Sequence, residues 1–208
     1  MSIAKSSTKQ KEPCKRSGVE PKNILYEVKT REEFRNWLSE HHDKERECWL
    51  ISRGKSRNES ILWYCDMVEE ALCFGWIDSI VKRIDAGVAH KISPRKKSSQ
   101  WSELNKERCR RLEKLGLMTP AGRAVLPDLS EENFIIDPDV LMALQNDSQV
   151  WENFQKFPSL YQRVRIDYIQ RTKKNKTMYE SRLKNFLSKT KQNVIFGEWS
   201  DRGRLLEY

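Results

Sequence analysis

Apolar residues recur along this chain with two periods, and the change from one to the other divides it. Up to about residue 126, short alternating runs take turns with stretches of helical spacing. Beyond Pro127 only the helical spacing continues. Residues 24–28 read as a short strand. Thr30 then opens a helix, with Glu33 three residues on to complete a capping box and Phe34, Trp37 and Leu38 on one face. Residues 47–53 alternate around Trp49 and Ile51 and predict a strand. After the loop at 54–58 a helix is expected over about 62–74, stopped by Gly75. Residues 76–84 and 88–92 form two further strands joined by a hairpin turn at Asp85-Ala86-Gly87, and Pro94 ends the second. A helix starts within 98–102 and runs to Gly116, and Thr119-Pro120 starts another.

The C-terminal part reads as helices starting at Asp137-Pro138, Asp147 and Pro158-Ser159, and over about 177–191. The third carries Tyr161, Val164 and Tyr168 at core-like spacing. The predicted class is α+β: an N-terminal mixed domain with a mainly antiparallel sheet (23–126), then an all-α region (127–208). Residues 1–22, basic and serine-rich without an apolar core, read as a disordered leader rather than a secretory signal.

Composition narrows the function classes. With 38% hydrophobic and 33% charged residues the chain is polar and globular. No run approaches the roughly 20 apolar residues of a membrane span, so membrane insertion is not expected. Five scattered cysteines, at 14, 48, 65, 73 and 109, and only three histidines give no metal-ligand spacing. They point to a reducing, cytoplasmic setting with unpaired thiols, no metal and no cofactor. The net charge of +9 is concentrated: eleven Lys/Arg against four Asp/Glu from Lys82 to Lys114, and eleven against two from Lys156 to Lys191. Such surfaces attract anions, or simply keep the protein soluble.

Candidate chemistry gathers in two stretches. On the 62–74 helix, Tyr64, Met67, Val68, Ala71 and Leu72 share one face, while Asp66, Glu70 and Cys73 fall within about 60° of each other on another. One reading makes Glu70 and Asp78 a carboxylate pair, one member buried enough for general acid–base work, with Trp76 in the same pocket wall. The other has these acids paired with arginines at the helix–strand junction. Cys73, at a helix C-terminus beside carboxylates, should have a raised pKa and act as a small apolar side chain. The second stretch joins Arg95 and Ser98 to Trp101 and Asn105, one turn apart at a helix start. Free amides, a guanidinium and an indole there suit a small anionic ligand with a flat body.

The run Ala71-Leu72-Cys73-Phe74-Gly75-Trp76-Ile77-Asp78, with Pro94-Arg95, Trp101-Ser102-Glu103-Leu104-Asn105 and Met118-Thr119-Pro120-Ala121-Gly122, resembles the YdeI/OmpD-associated, or bacteriocin-protection, family. The resemblance implies a cytoplasmic bacterial protein linked to bacteriocin protection or envelope stress, and supplies no reaction. Arg171-Thr172-Lys173-Lys174-Asn175-Lys176-Thr177 departs from the alanine- and lysine-rich stretch that members carry. The leading expectation is that Glu70, Asp78, Arg95, Trp101 and Asn105 converge in one cleft. The alternatives are nucleic-acid binding by the basic segments, or contact with an acidic protein partner through Lys173, Lys174 and Lys176.

Overall fold

A computed structural model describes residues 21–52, 62–96 and 98–208. Helix α1 (Arg31–His41) begins as the spacing predicts: the Thr30 side chain accepts from the Glu33 amide, and Glu33 reaches back to the Thr30 amide. Phe34 and Leu38 are its fully buried face. Strand β1 (Cys48–Ser52) follows, then helix α2 (Tyr64–Cys73), strands β2 (Trp76–Ile84) and β3 (Gly87–Pro94), and helices α3 (Glu103–Lys114) and α4 (Pro120–Arg123).

The sheet has the order β1-β3-β2 and is antiparallel throughout, with Leu50 opposite His90 and Trp76 opposite Pro94. A bulge between Asp78 and Ile80 shifts the β2 register. The expected strand at 24–28 is replaced by a single parallel bridge, Ile24 to Trp49, because the chain turns away at Tyr26-Glu27 to reach the α1 cap. Gly75 ends α2 with φ +75°, a conformation that side chains with a Cβ resist. Thr119 Oγ1 donates to the Cys73 carbonyl at 2.6 Å, so α4 seats on the end of α2.

Beyond α4, a 3₁₀ turn (Glu131–Asn133) leads into α5 (Pro138–Gln145), α6 (Ser148–Lys156), α7 (Ser159–Gln170) and α8 (Lys176–Lys191). The chain is therefore an α+β fold with its strands N-terminal and its helical region C-terminal. One core lies between α1, the sheet, α2 and α3, around Phe34, Leu50, Met67, Leu72 and Trp76. A second joins α5 to α8 around Leu144, Phe154, Tyr161 and Phe186. Tyr168 does not join it: its ring is 44% exposed between the guanidiniums of Arg182 (3.5 Å) and Arg165 (5.1 Å).

The seam between α3 and α7 is ionic. Arg163 pairs with Glu107 at 3.0 Å and with Glu131 at 2.5 Å, and Arg110 holds the same Glu107 at 2.6 Å. After α8 the tail returns to the first core. Asp201 bonds Arg108, Arg204 bonds Asp66 and Glu69, and Leu205 packs with Leu160 and Val164. Among the described residues no helix is long and apolar enough to cross a membrane. Cys48, Cys65, Cys73 and Cys109 are free and buried, while Cys14 and the 1–20 stretch lie outside the described residues, as does the 54–58 loop.

Candidate functional site

The two stretches singled out in the sequence meet only in part: Trp76 and Asp78 share a cavity with Asn105, while Glu70 and Arg95 do not line it. On α2, Tyr64, Val68 and Leu72 look toward Asp78 and α3. Glu70 lies about 200° round the helix from the middle of that row and faces α1 instead. There both its oxygens are taken, by Arg31 Nε at 2.5 Å and Arg35 Nη1 at 2.7 Å. Glu69 beside it is fully buried and receives Arg31, Arg111 and Arg204 at 2.7, 2.9 and 3.0 Å. Glu70 is thus part of an arginine–carboxylate lattice joining α1, α2, α3 and the tail, and the pairing of Glu70 with Asp78 gives way to this arrangement. Cys73 stands beside it, its thiol pushed up to about 12 by burial and then by the Glu70 charge.

Arg95 also departs from the expected cleft. It lies at the end of β3, its amide donating to Gly75 O at 2.9 Å and its guanidinium stacked 3.6 Å from the Trp101 ring centre. It is 7% exposed, Nη1 donates to Gln100 O at 3.2 Å, and Nε and Nη2 are buried without a hydrogen-bond partner. Burial lowers its pKa to about 10. Ser98 is exposed, and Ser102 rather than Ser98 caps α3, accepting from the Asn105 amide at 3.2 Å.

The anion expected at the α3 start is supplied by the protein itself: Asp167 on α7 accepts from the Glu103 amide at 3.2 Å. Burial raises the Asp167 pKa to about 6. Because the folded value is above the unfolded one, its contribution to stability is complete below about pH 4 and is lost as pH rises through 6. Asp167→Asn keeps the acceptor and removes the titration. Between pH 4 and 7 the wild type is expected to lose on the order of 2 kcal/mol relative to this variant, one pKa unit being worth about 1.4 kcal/mol. Parallel denaturation curves across that range would refute the assignment.

What the fold does build is a cleft of about 460 Å³ where the first turns of α2 and α3 meet the tail. Trp63, Tyr64 and Cys65 come from α2, Ser102, Leu104, Asn105 and Arg108 from α3, and Glu198, Asp201 and Arg202 from the tail. Trp63 stands at the α2 N-cap without a side-chain cap, so a positive helix end faces the space on that side, whereas the α3 start is already met by Ser102 and Asp167. The exposed Arg202 has no ion-pair partner among the described residues and lies 5.8 Å from the Trp63 ring.

Adjoining the cleft is a smaller cavity of about 50 Å³, sharing Tyr64, Asn105 and Arg108 and walled by Trp76 and Asp78. Of the expected site residues, then, Asp78, Trp76 and Asn105 come together, and Arg95, Trp101, Ser98 and Glu70 lie apart from them.

Asp78 is held from behind. His90 Nδ1 lies 3.1 Å from Asp78 Oδ2, and His90 Nε2 lies 2.8 Å from Ser52 Oγ, a hydrogen-bonded line across all three strands. A proton on Nδ1 satisfies both contacts. The other oxygen, Asp78 Oδ1, is buried beside the Tyr64 phenol, which is pushed up to about 12 by burial and then by the charge of Asp78 and a hydrogen bond to it. The sequence held a signal for Arg108, which continues the Trp101–Asn105 face at the next helical step. It held none for Arg202, brought in from 94 residues beyond Arg108. Among the described residues no group of His, Cys, Asp and Glu side chains is placed to hold a metal ion.

Residues 133–193 match the model of the bacteriocin-protection, YdeI or OmpD-associated family. Residues 26–125 match the model of a domain of unknown function, DUF8412. The family that the sequence resembles is therefore found in the helical region, while the 71–78 and 94–105 runs that suggested it lie within the other match. No curated protein and no solved structure matches the chain.

Proposed function

We propose that the protein binds a small anionic molecule with a flat body in the cleft between α2, α3 and the tail. The observation that carries this is the meeting of the uncapped α2 N-terminus, an indole and an unpaired guanidinium around one space of about 460 Å³. That volume is within the range of small-molecule sites. Trp63, with the Arg204 guanidinium 4.3 Å from its ring centre, offers the indole, Arg202 the charge, and Asn105 the amide. Asp78 lies in the adjoining smaller cavity beside Tyr64, and a role as general base would require the ligand to reach it there. A cytoplasmic setting fits the four buried free thiols. Any part in bacteriocin protection or envelope stress would be exercised through such a ligand.

Nucleic-acid or acidic-protein binding by α7 and α8 is the weaker reading. Lys173 and Lys191 are paired with Asp137, Asp139 and Asp147. A thermal-shift and calorimetric screen of anionic aromatic metabolites is expected to give a saturable ligand. Trp63→Ala and Arg202→Ala should each weaken it by roughly tenfold or more, the scale of a central aromatic or arginine contact, while Arg95→Lys leaves it unchanged. Mixed-sequence oligonucleotides at low salt should not bind. The cleft is the wrong site if the ligand's affinity follows Arg95 and ignores Trp63.

A further inference from the structure

We infer that the ligand of this cleft carries a carboxylate, and that Asp201 is the protein's own occupant of the place it takes. The inference rests on the cleft reading above and states what the cleft selects. Arg108 walls both the cleft and the cavity adjoining it. Its Nη1 donates to Asn105 Oδ1 at 2.7 Å, which fixes the plane of the guanidinium before anything else binds. The remaining edge, Nε and Nη2, is a two-pronged donor that matches the two oxygens of a carboxylate. Both prongs are filled by Asp201, at 2.7 and 2.8 Å.

The carboxylate that fills them arrives on a segment ill suited to holding it. Asp201 and Arg202 are both left-handed, at φ 48° and 59°, and Gly203 follows at 92°. Two successive residues with a Cβ in that region are strained, and strain of this kind persists where surrounding contacts impose it. Those contacts are on hand: Arg204 is anchored to Asp66 and Glu69, and Leu205 to Leu160 and Val164. The tail is thus pinned just beyond the strained pair.

A ligand carboxylate entering from the cleft can replace Asp201 on Arg108 without leaving the buried guanidinium unpaired. The exchange swaps one carboxylate for another and releases the Asp201 side chain toward solvent, while Arg202 stays at the cleft. A neutral ligand of the same shape offers no such exchange, since it would strand the charge.

The test uses the full chain with benzoate and, as its neutral counterpart, benzyl alcohol, followed by the Trp63 indole signal and by hydrogen exchange at residues 200–203. Benzoate is expected to shift the indole saturably and to speed exchange of those amides, with benzyl alcohol at least roughly tenfold weaker and without effect on exchange. Asp201→Asn should raise benzoate affinity by roughly tenfold, and Arg108→Lys in that background should remove the gain. Equal binding of the two compounds would leave the cleft reading standing and overturn the carboxylate exchange; no shift with either would overturn both. If Asp201→Asn does not fold, hydrogen exchange in the wild type decides, and unchanged rates at 200–203 in saturating benzoate overturn the proposal.

Discussion

Glu69→Ala is expected to lower folding stability by about 3–5 kcal/mol, the cost of stranding buried charges by removing one partner. Glu69 is fully buried and is the only carboxylate paired with Arg111 among the described residues. Without it Arg31 keeps Glu70 and Arg204 keeps Asp66, but Arg111, whose Nε already lacks a partner, keeps nothing. The loss would be a large share of the stability of an ordinary domain, about 5–15 kcal/mol. It should appear as a lower denaturation midpoint at unchanged slope. Combining Glu69→Leu with Arg111→Met should recover much of it, because the pair is then replaced by apolar volume rather than broken. A loss under about 1 kcal/mol for Glu69→Ala would mean that the lattice is solvated and contributes as little as a surface pair.

The same lattice explains what the sequence could and could not disclose. Local rules placed α1 at its capping box, α2 at Gly75, the hairpin at Asp85-Ala86-Gly87 and α4 at Thr119-Pro120, since each depends on residues within one turn. The acidic stretch on α2 also stood out correctly as unusual. Its meaning stayed open between a carboxylate pair and arginine pairing, and the structure takes the second, because whether Glu70 faces a cavity or two arginines depends on where α1, 35 and 39 residues earlier, comes to rest. Asp167 on the α3 start and Asp201 on Arg108 are separated from their partners by 64 and 93 residues. Neither leaves a local trace. Asn105 and Asp78 line one cavity because their own elements aim them inward; Arg95 is buried too, but stacked on Trp101 and outside that lining.

Trp76 shows how the difference between a wall residue and a core residue can be measured. The run from Ala71 to Asp78 suggested a ligand-facing indole, yet Trp76 is 1% exposed, edge-on to Trp37 at 6.0 Å, with Nε1 donating to His42 O at 3.2 Å. It begins β2 directly after the left-handed Gly75 and so fixes how α1 lies on the sheet. Trp76→Ala is expected to cost about 3–5 kcal/mol, the range for emptying a large aromatic site in a core. Trp76→Phe keeps most of the packing and loses the hydrogen bond, so it should cost about 1–3 kcal/mol for the His42 carbonyl left unsatisfied. Chemical denaturation of the two variants separates the terms. If Trp76→Ala instead unfolds within about 1 kcal/mol of wild type and only ligand affinity falls, the indole belongs to the cleft and the α1–sheet contact is held by Phe34 and Leu38 alone.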